Sequence, residues 1–223
     1  MQGIYLYFEI IGLLTSLILY FKKRNKLLLY FIPFLVITVS VELVAWVLTS
    51  RNSVSGYLSF RYAMYNIFTA LEFLFYSFLF YIHLKKPAFK KFVYLFFPLY
   101  TILVIINFLF VQGLTKTFHT YTFLLGSFFL VVFCCLFFYE SVQPDKIEDQ
   151  LSKQPFFWIS SGLLIYYLGS VIINALFQYL TTNDLRFEGQ KIYSIINNSL
   201  NVILYSSFCI SFFLCRNHRK KSS

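Results

Sequence analysis

Residues 27–49 read LLLYFIPFLVITVSVELVAWVLT, a run with one acidic residue and no basic one. A helix needs roughly 20 predominantly apolar residues to cross the hydrocarbon core of a bilayer. This run therefore predicts a membrane-spanning helix. Six further runs of the same kind predict helices at approximately 3–21, 60–84, 92–112, 118–140, 155–180 and 191–214.

The composition agrees with an all-α, seven-helix membrane bundle. Hydrophobic residues make up 59% of the 223 residues and charged residues only 13%, whereas a soluble domain usually carries about 25% charged residues. So few charges cannot cover a soluble surface. Every connection is short, so neighbouring helices are expected to be antiparallel. We predict one transmembrane domain, residues 1–214, followed by a basic tail, residues 215–223.

The positions of Lys and Arg predict the orientation. Fourteen of the 19 fall in the first, third and fifth connections and in the tail. Because positive residues accumulate on the cytoplasmic side, we expect the N-terminus outside, the C-terminus in the cytoplasm and the chain in the cell membrane.

The formal net charge of +10 is thus expected at the cytoplasmic face. Membrane topology and attraction to anionic lipid account for it, and nucleic-acid binding is not expected. Docking to a cytoplasmic or membrane signalling partner stays open, and the oligomeric state is not predicted. The basic residues available for a partner are Lys22, Lys23, Arg24, Lys85, Lys86, Lys90, Lys91, Arg219 and Lys220.

Polar residues inside the predicted helices share one depth. With a rise of about 1.5 Å per residue, they fall in the outer half or near the middle of the membrane. Intramembrane polar groups usually face the bundle interior or water, so we expect a polar pocket that opens outward. Its candidate ligand-binding residues are Glu42, Asn66, Thr69, Glu72, Asn107, Asn174, Tyr193, Asn197 and Asn201.

Two interpretations of these residues remain open. They form either a binding site for a small ligand, cation or proton, or a hydrogen-bonded network that fastens the helices together. Glu42 and Glu72 are the expected charged members. Glu9 lies close enough to the outer interface that we expect it to be mostly solvated.

Several kinds of chemistry are not expected. No Lys lies deep in a helix, where retinal would need one, and all three His residues lie at or beyond helix ends. No metal-ligand spacing or hydrolase motif is present. We therefore expect a protein that is not an enzyme and that has no catalytic residues, metal site or cofactor.

Several short segments of the chain resemble segments of known proteins. They are YNIF at 65–68, Glu72 with FLFY at 73–76, FWI at 157–159, GLLIYY at 162–167 with Gly169, and the Asn197/Asn201 helix that ends near Cys215. With these segments the chain resembles a group of small bacterial seven-helix membrane proteins, and through them the seven-helix sensory modules of bacterial signalling proteins. The resemblance implies signalling through a separate partner.

Three functions follow as hypotheses. The leading one is a sensor or receptor-like module that binds a ligand, cation or proton in the outer pocket and acts through a partner. The second is a small proton-coupled transporter, although no inverted repeat is visible. The third is a non-catalytic membrane anchor or accessory subunit, including one of a bacterial defence system.

Overall fold

A computed structural model describes residues 4–50, 57–142, 151–182 and 186–215. Within these ranges seven long helices are present, and each is long and apolar enough to cross a membrane. The prediction of an all-helical, multi-pass membrane protein is confirmed, whereas the orientation stays a prediction. The helices are α1 (Ile4–Lys23), α2 (Lys26–Ser50), α3 (Tyr57–His83), α4 (Pro87–Ile106), α5 (Thr120–Ser141), α6 (Pro155–Thr182) and α7 (Arg186–Leu214).

Several helix ends differ from the predicted ones. Helix α4 begins at Pro87 instead of residue 92, because proline is preorganised for the first helical position and long lysine side chains can reach water from a helix end. Its α-helical part ends at Ile106 and continues as a π-helix, Asn107–Val111. Helix α7 begins at Arg186 instead of residue 191.

The helices form two compact units. Unit 1 contains residues 1–35 and 141–223, and unit 2 contains residues 36–140. Helix α2 contributes its first part to unit 1 and the rest to unit 2. The expected basic tail lies, apart from Cys215, outside the described residues.

Unit 1 is held together by close packing of α6 on α7. Gly162 and Gly169 face α7, where a Cβ atom on Gly162 would lie 2.9 Å from the Cβ of Ser207 and one on Gly169 2.6 Å from Leu200. Small residues of this kind let two membrane helices approach closely. The Phe31 ring of α2 packs against α7, where the distance between its centroid and that of the Phe208 ring is 5.1 Å.

Unit 2 has an aromatic core. The Phe73 ring of α3 lies directly over Gly126 of α5 and 5.7 Å from the Tyr100 ring of α4. Phe96 stacks on Tyr100 at 5.0 Å and meets Phe133 edge-on at 5.4 Å. Aromatic pairs in these geometries contribute beyond their buried area, which explains the Phe-rich sequence of α3, α4 and α5.

Candidate functional site

The predicted ligand-binding residues are divided between the two units. Glu42, Asn66, Thr69, Glu72 and Asn107 belong to unit 2, and Asn174, Tyr193, Asn197 and Asn201 belong to unit 1. We describe each set within its own unit. Their joint role as one ligand pocket stays a prediction.

Asn66 anchors the connection between α4 and α5. Its Nδ2 donates to the carbonyl oxygens of Leu114 and Thr117, both at 2.9 Å. Its Oδ1 accepts the backbone N–H of His119 at 2.9 Å. The side chain is only 2% exposed. One amide thus satisfies three backbone groups of a non-helical segment, which would otherwise lack partners near the membrane.

Asn107 stabilises the other side of the same connection. Its Nδ2 donates to Gln112 Oε1 at 3.0 Å, and Gln112 Nε2 in turn donates to the carbonyl oxygen of Phe118 at 3.3 Å. The Asn107 carbonyl oxygen accepts the N–H groups of Gln112 and Gly113. Asn107 also borders a mostly apolar groove of about 180 Å³ beside α5. Both predicted asparagines of unit 2 therefore organise the chain's own backbone.

His119 is buried in this connection, which the sequence did not indicate. We expected a surface or interfacial histidine, but the side chain is 3% exposed and its Nε2 lies 3.2 Å from the Gly113 carbonyl oxygen. Burial lowers the pKa of His119 below its usual value, and the hydrogen bond to Gly113 opposes this effect. A neutral imidazole is favoured because a buried positive charge is poorly solvated.

The two predicted carboxyl groups of unit 2 are half-buried. The hydroxyl of Tyr65 donates to Glu42, at 3.2 Å from the closer carboxyl oxygen, and the guanidinium of Arg61 lies 5.7 Å from the centre of the Tyr65 ring. Glu72 and Thr69 lie about one turn apart on α3, and Glu72 interacts electrostatically with Tyr100. Each of these two acidic side chains in unit 2 thus interacts with a tyrosine: Glu42 with Tyr65 and Glu72 with Tyr100.

Side-chain contacts define the directions of the helices in unit 1. Thr15 hydrogen-bonds Cys209, and Lys23 Nζ donates to the Phe213 carbonyl oxygen at 2.6 Å, so α1 and α7 run in the same direction. Gly169 faces Leu200, and Asn174 hydrogen-bonds Tyr193, so α6 and α7 are antiparallel.

These directions place the predicted polar residues of unit 1 in one stretch of α6 and α7 that is about two turns long. The level opposite Leu200 on α6 is that of Gly169 and Ser170. Asn174 lies about one turn beyond this level, and Tyr193 lies about two turns, roughly 10.5 Å, beyond it. Asn174 Nδ2 donates to the Ser170 carbonyl oxygen at 2.7 Å, and Asn201 Nδ2 donates to the Asn197 carbonyl oxygen at 2.9 Å. All four predicted residues of unit 1 thus lie within about two turns of each other along the helix axes.

Glu9 of α1 lies beside this stretch, and the expectation that it is solvated was wrong. Its side chain is only 2% exposed. The Thr15–Cys209 and Lys23–Phe213 contacts place it level with residues 199–203 of α7, because parallel helices keep a constant register. The sequence alone does not give the register of α1 against α7. The position of Glu9 near the N-terminus therefore suggested an interfacial residue. We call Glu9, Ser170, Asn174, Tyr193, Asn197 and Asn201 the polar layer.

At the other end of unit 1, a lysine side chain caps the last turn of α7. Lys23 donates to the carbonyl oxygen of Phe213, where α7 ends and its carbonyl groups lack helical partners. Beside it, Cys215 is 3% exposed, and burial raises the pKa of this thiol to about 11, against an opposing effect of Lys23. At neutral pH Cys215 is therefore a protonated and poorly reactive thiol.

No group of three or more His, Cys, Asp and Glu side chains with metal-binding geometry occurs among the described residues. The fold and these contacts define a class, the multi-pass helical membrane protein. No protein family, curated protein or solved structure matches the chain. Function is therefore argued from the residues themselves.

Proposed function

We propose that this chain is a receptor-like sensor of the cell membrane, in which a proton or small cation at the polar layer changes the arrangement of α1, α6 and α7. The observation that carries the proposal is Glu9, a carboxyl group 2% exposed within a membrane-spanning helix.

The energetics of a buried carboxyl group support this proposal. A charged carboxylate inside a bilayer is costly, and intramembrane acids usually mark proton or ion sites. Glu9 is stable there as a neutral acid or beside a cation. Hard cations prefer oxygen ligands, and at the level of Glu9 the polar layer offers the Glu9 carboxyl oxygens and the amide oxygen of Asn201.

The fold also supplies a path from the polar layer to the opposite end of unit 1. Helix α1 runs without interruption from Glu9 to Lys23, a distance of about 21 Å at 1.5 Å per residue. Lys23 contacts the last turn of α7. A change at Glu9 would therefore move the end of unit 1 that carries Lys22, Lys23 and Arg24. Under the predicted orientation, these residues face a cytoplasmic partner.

Trp158 provides a direct test. It lies in the first turn of α6, about 18 Å from Ser170 along the helix, and its Nε1 donates to the Ser152 carbonyl oxygen at 2.9 Å. In a Trp46→Phe background Trp158 is the single tryptophan. We expect its emission, measured in lipid nanodiscs, to change between about pH 8 and about pH 5 or on addition of Na⁺, K⁺, Mg²⁺ or Ca²⁺.

Three variants separate the proposal from a general effect of pH or salt. Glu9→Gln should abolish the response, and Glu9→Asp should retain it with a shifted midpoint. Glu42→Gln, which changes a carboxyl group of the other unit, tests the predicted joint pocket: the response persists in this variant if the polar layer alone binds the ion. A wild-type protein without a response to any of these ions, or a Glu9→Gln protein that responds normally, would rule the sensor out.

A second candidate is a non-catalytic membrane anchor or accessory subunit. The observation in its favour is that Asn66, Asn107, Asn174 and Asn201 each donate to groups of their own unit. For an anchor, Glu9→Gln would alter stability alone, and Trp158 emission would not respond to ions in any variant.

A further inference from the structure

A groove lies within unit 2, between the last turns of α4 with its π-helix and the first turns of α5. Its volume is about 180 Å³, slightly more than that of an apolar cavity of about 150 Å³ that binds benzene. The walls are mostly apolar, with Leu103 on one side and Leu125 on the other. The groove is therefore large enough for a small apolar molecule.

The groove opens to the lipid-facing surface of the unit. Three of its lining side chains are exposed, namely Ile106 (41%), Val111 (59%) and Tyr121 (65%). All three belong to segments that are long and apolar enough to cross a membrane, Pro87–Val111 and Thr120–Ser141. A molecule that enters between these side chains comes from the bilayer, so it must be soluble in lipid.

The groove also contains a hydrogen-bond acceptor that is not used by the protein. Asn107 lines the groove and is 4% exposed, and no described residue donates to its Oδ1 atom. A buried acceptor without a hydrogen bond is destabilising. A ligand that supplies one donor at this position would remove that cost.

The backbone holds Asn107 in place before a ligand binds. Asn107 is the first residue of the π-helix, and its carbonyl oxygen accepts the N–H groups of Gln112 at 3.1 Å and Gly113 at 3.3 Å. Single π-helical turns inside α-helices are frequent at functional sites. The amide is thus positioned by the local helix geometry.

The buried polar groups of the groove favour a hydroxyl group as the donor of the ligand. Asn107 Nδ2 already donates to Gln112 Oε1 at 3.0 Å, and Thr122 Oγ1 donates to the His119 carbonyl oxygen at 3.1 Å. An amide or carboxylic acid would bring a carbonyl oxygen that these engaged donors cannot satisfy, and a charged amine is costly to bury. An alcohol leaves the fewest groups without a partner.

The polar and apolar ends of the groove are separated along the helix axes. Asn107 and Thr122 lie next to the α4–α5 connection, whereas Leu103 and Leu125 lie about one turn deeper in their helices. An amphipathic alcohol in a bilayer has the same arrangement, because its hydroxyl group stays near water and its chain avoids water. The groove therefore matches the direction in which such a molecule lies in the membrane.

We propose that this groove binds a lipid-soluble alcohol. The hydroxyl group of the alcohol donates to Asn107 Oδ1, and its chain packs between Leu103 and Leu125. The site lies within unit 2 and does not rest on the ion-binding role proposed for the polar layer.

Photolabelling of the full chain in lipid nanodiscs tests the site. The probe is octanol with a diazirine at the end of its chain, and mass spectrometry locates the labelled residues. We expect saturable labelling at Leu103 and Leu125, which unlabelled octanol prevents. Leu99, one turn from Leu103, is 49% exposed and does not line the groove, so its labelling reports contact with probe dissolved in the bilayer.

A competitor without a donor tests the hydrogen bond to Asn107. Octyl methyl ether has a similar chain and an ether oxygen but no O–H group. At equal concentration in the bilayer, we expect it to compete roughly fivefold to tenfold more weakly than octanol. This comparison uses the wild-type chain and so does not depend on the folding of a variant.

Two adjacent leucines of α5 provide a matched pair of variants. Leu125→Phe fills the groove and should reduce labelling at Leu103 to the level seen at Leu99. Leu124→Phe makes the same substitution at a residue that is 36% exposed and does not line the groove, and it should leave the labelling unchanged. An unchanged thermal midpoint shows that both variants fold.

Two results would overturn the proposal. Labelling that does not saturate and is as strong at Leu99 as at Leu103 and Leu125 would mean that the probe only partitions into the bilayer. An ether that competes as well as octanol would remove the hydrogen bond to Asn107, and with it the assignment of an alcohol.

Discussion

The two units hold their helices together in different ways. In unit 1, Gly162 and Gly169 remove side chains from the contact, so that α6 and α7 approach until Ser207 and Leu200 fill the space. In unit 2, aromatic rings fill the space between the helices, and the Asn66 side chain hydrogen-bonds the backbone of the connection between α4 and α5.

This difference shows what intramembrane polar groups do in each unit. In unit 2 the asparagines satisfy a backbone segment that has no helical hydrogen bonds of its own. In unit 1, Asn174 and Asn201 donate to carbonyl groups of their own helices. Interhelical hydrogen bonds in membranes are worth only about 0.6 kcal/mol on average, so close packing is the larger contribution in unit 1. The polar layer is therefore less constrained by stability, which is compatible with the ion-binding role that we propose for it.

Asn66→Ala tests this contrast with the largest expected effect. The variant leaves two carbonyl oxygens and one N–H of the α4–α5 connection without their partner. Because each buried polar group without a hydrogen bond costs about 1–3 kcal/mol, we expect a loss of about 3 kcal/mol in unfolding free energy, together with faster hydrogen exchange at residues 113–119.

Asn201→Ala is the control in unit 1. Its amide donates to a carbonyl group of the same helix, so its loss should cost less than about 1 kcal/mol. Equal destabilisation by the two variants would contradict the distinction between the units.

Gly162→Ala tests the close packing of unit 1. The new Cβ would lie 1.9 Å from the Ser207 hydroxyl oxygen, which can rotate away, and 2.9 Å from the Ser207 Cβ, which cannot. Helix α7 must therefore shift, and we expect a loss of about 2 kcal/mol, measured by unfolding in detergent micelles.

Gly12→Ala is the matched substitution on α1, where a Cβ would meet no atom within 4 Å. It should be neutral or slightly stabilising, since alanine favours helix more than glycine does. A Gly162→Ala protein as stable as Gly12→Ala would mean that α6 and α7 are not closely packed.

The smallest expected effect is the pH dependence of stability that comes from His119. Its pKa is lower in the folded protein than the usual 6.5, so the unfolded chain binds the proton more readily. Its contribution to stability is therefore complete above about pH 6.5 and is lost as the pH falls towards the lowered pKa. Hydrogen exchange at residues 113–119 should accelerate over this range.

His119→Gln removes the titrating group while it keeps a polar side chain. In this variant the pH dependence below about pH 6.5 should be weaker than in the wild type. If exchange in both proteins accelerates equally on acidification, another group is responsible.

The sequence predicted the helices well and their polar contacts poorly. Asn66 and Asn107 were identified as intramembrane polar residues, but their partners lie in a connection that has no apolar periodicity. The depth of Glu9 in the outer half of α1 was predicted, but its burial was missed because its position near the N-terminus suggested a solvated interface.

The number and approximate extent of the membrane-spanning helices are properties that the sequence alone determined. The physical reason is local: an apolar run of about 20 residues is stable as a helix in lipid whatever its neighbours are. The tertiary structure decided which polar group meets which, because Asn66 bonds residues 48 to 53 positions away. Those partners depend on how each helix is rotated and how deeply it lies, and hydropathy determines neither.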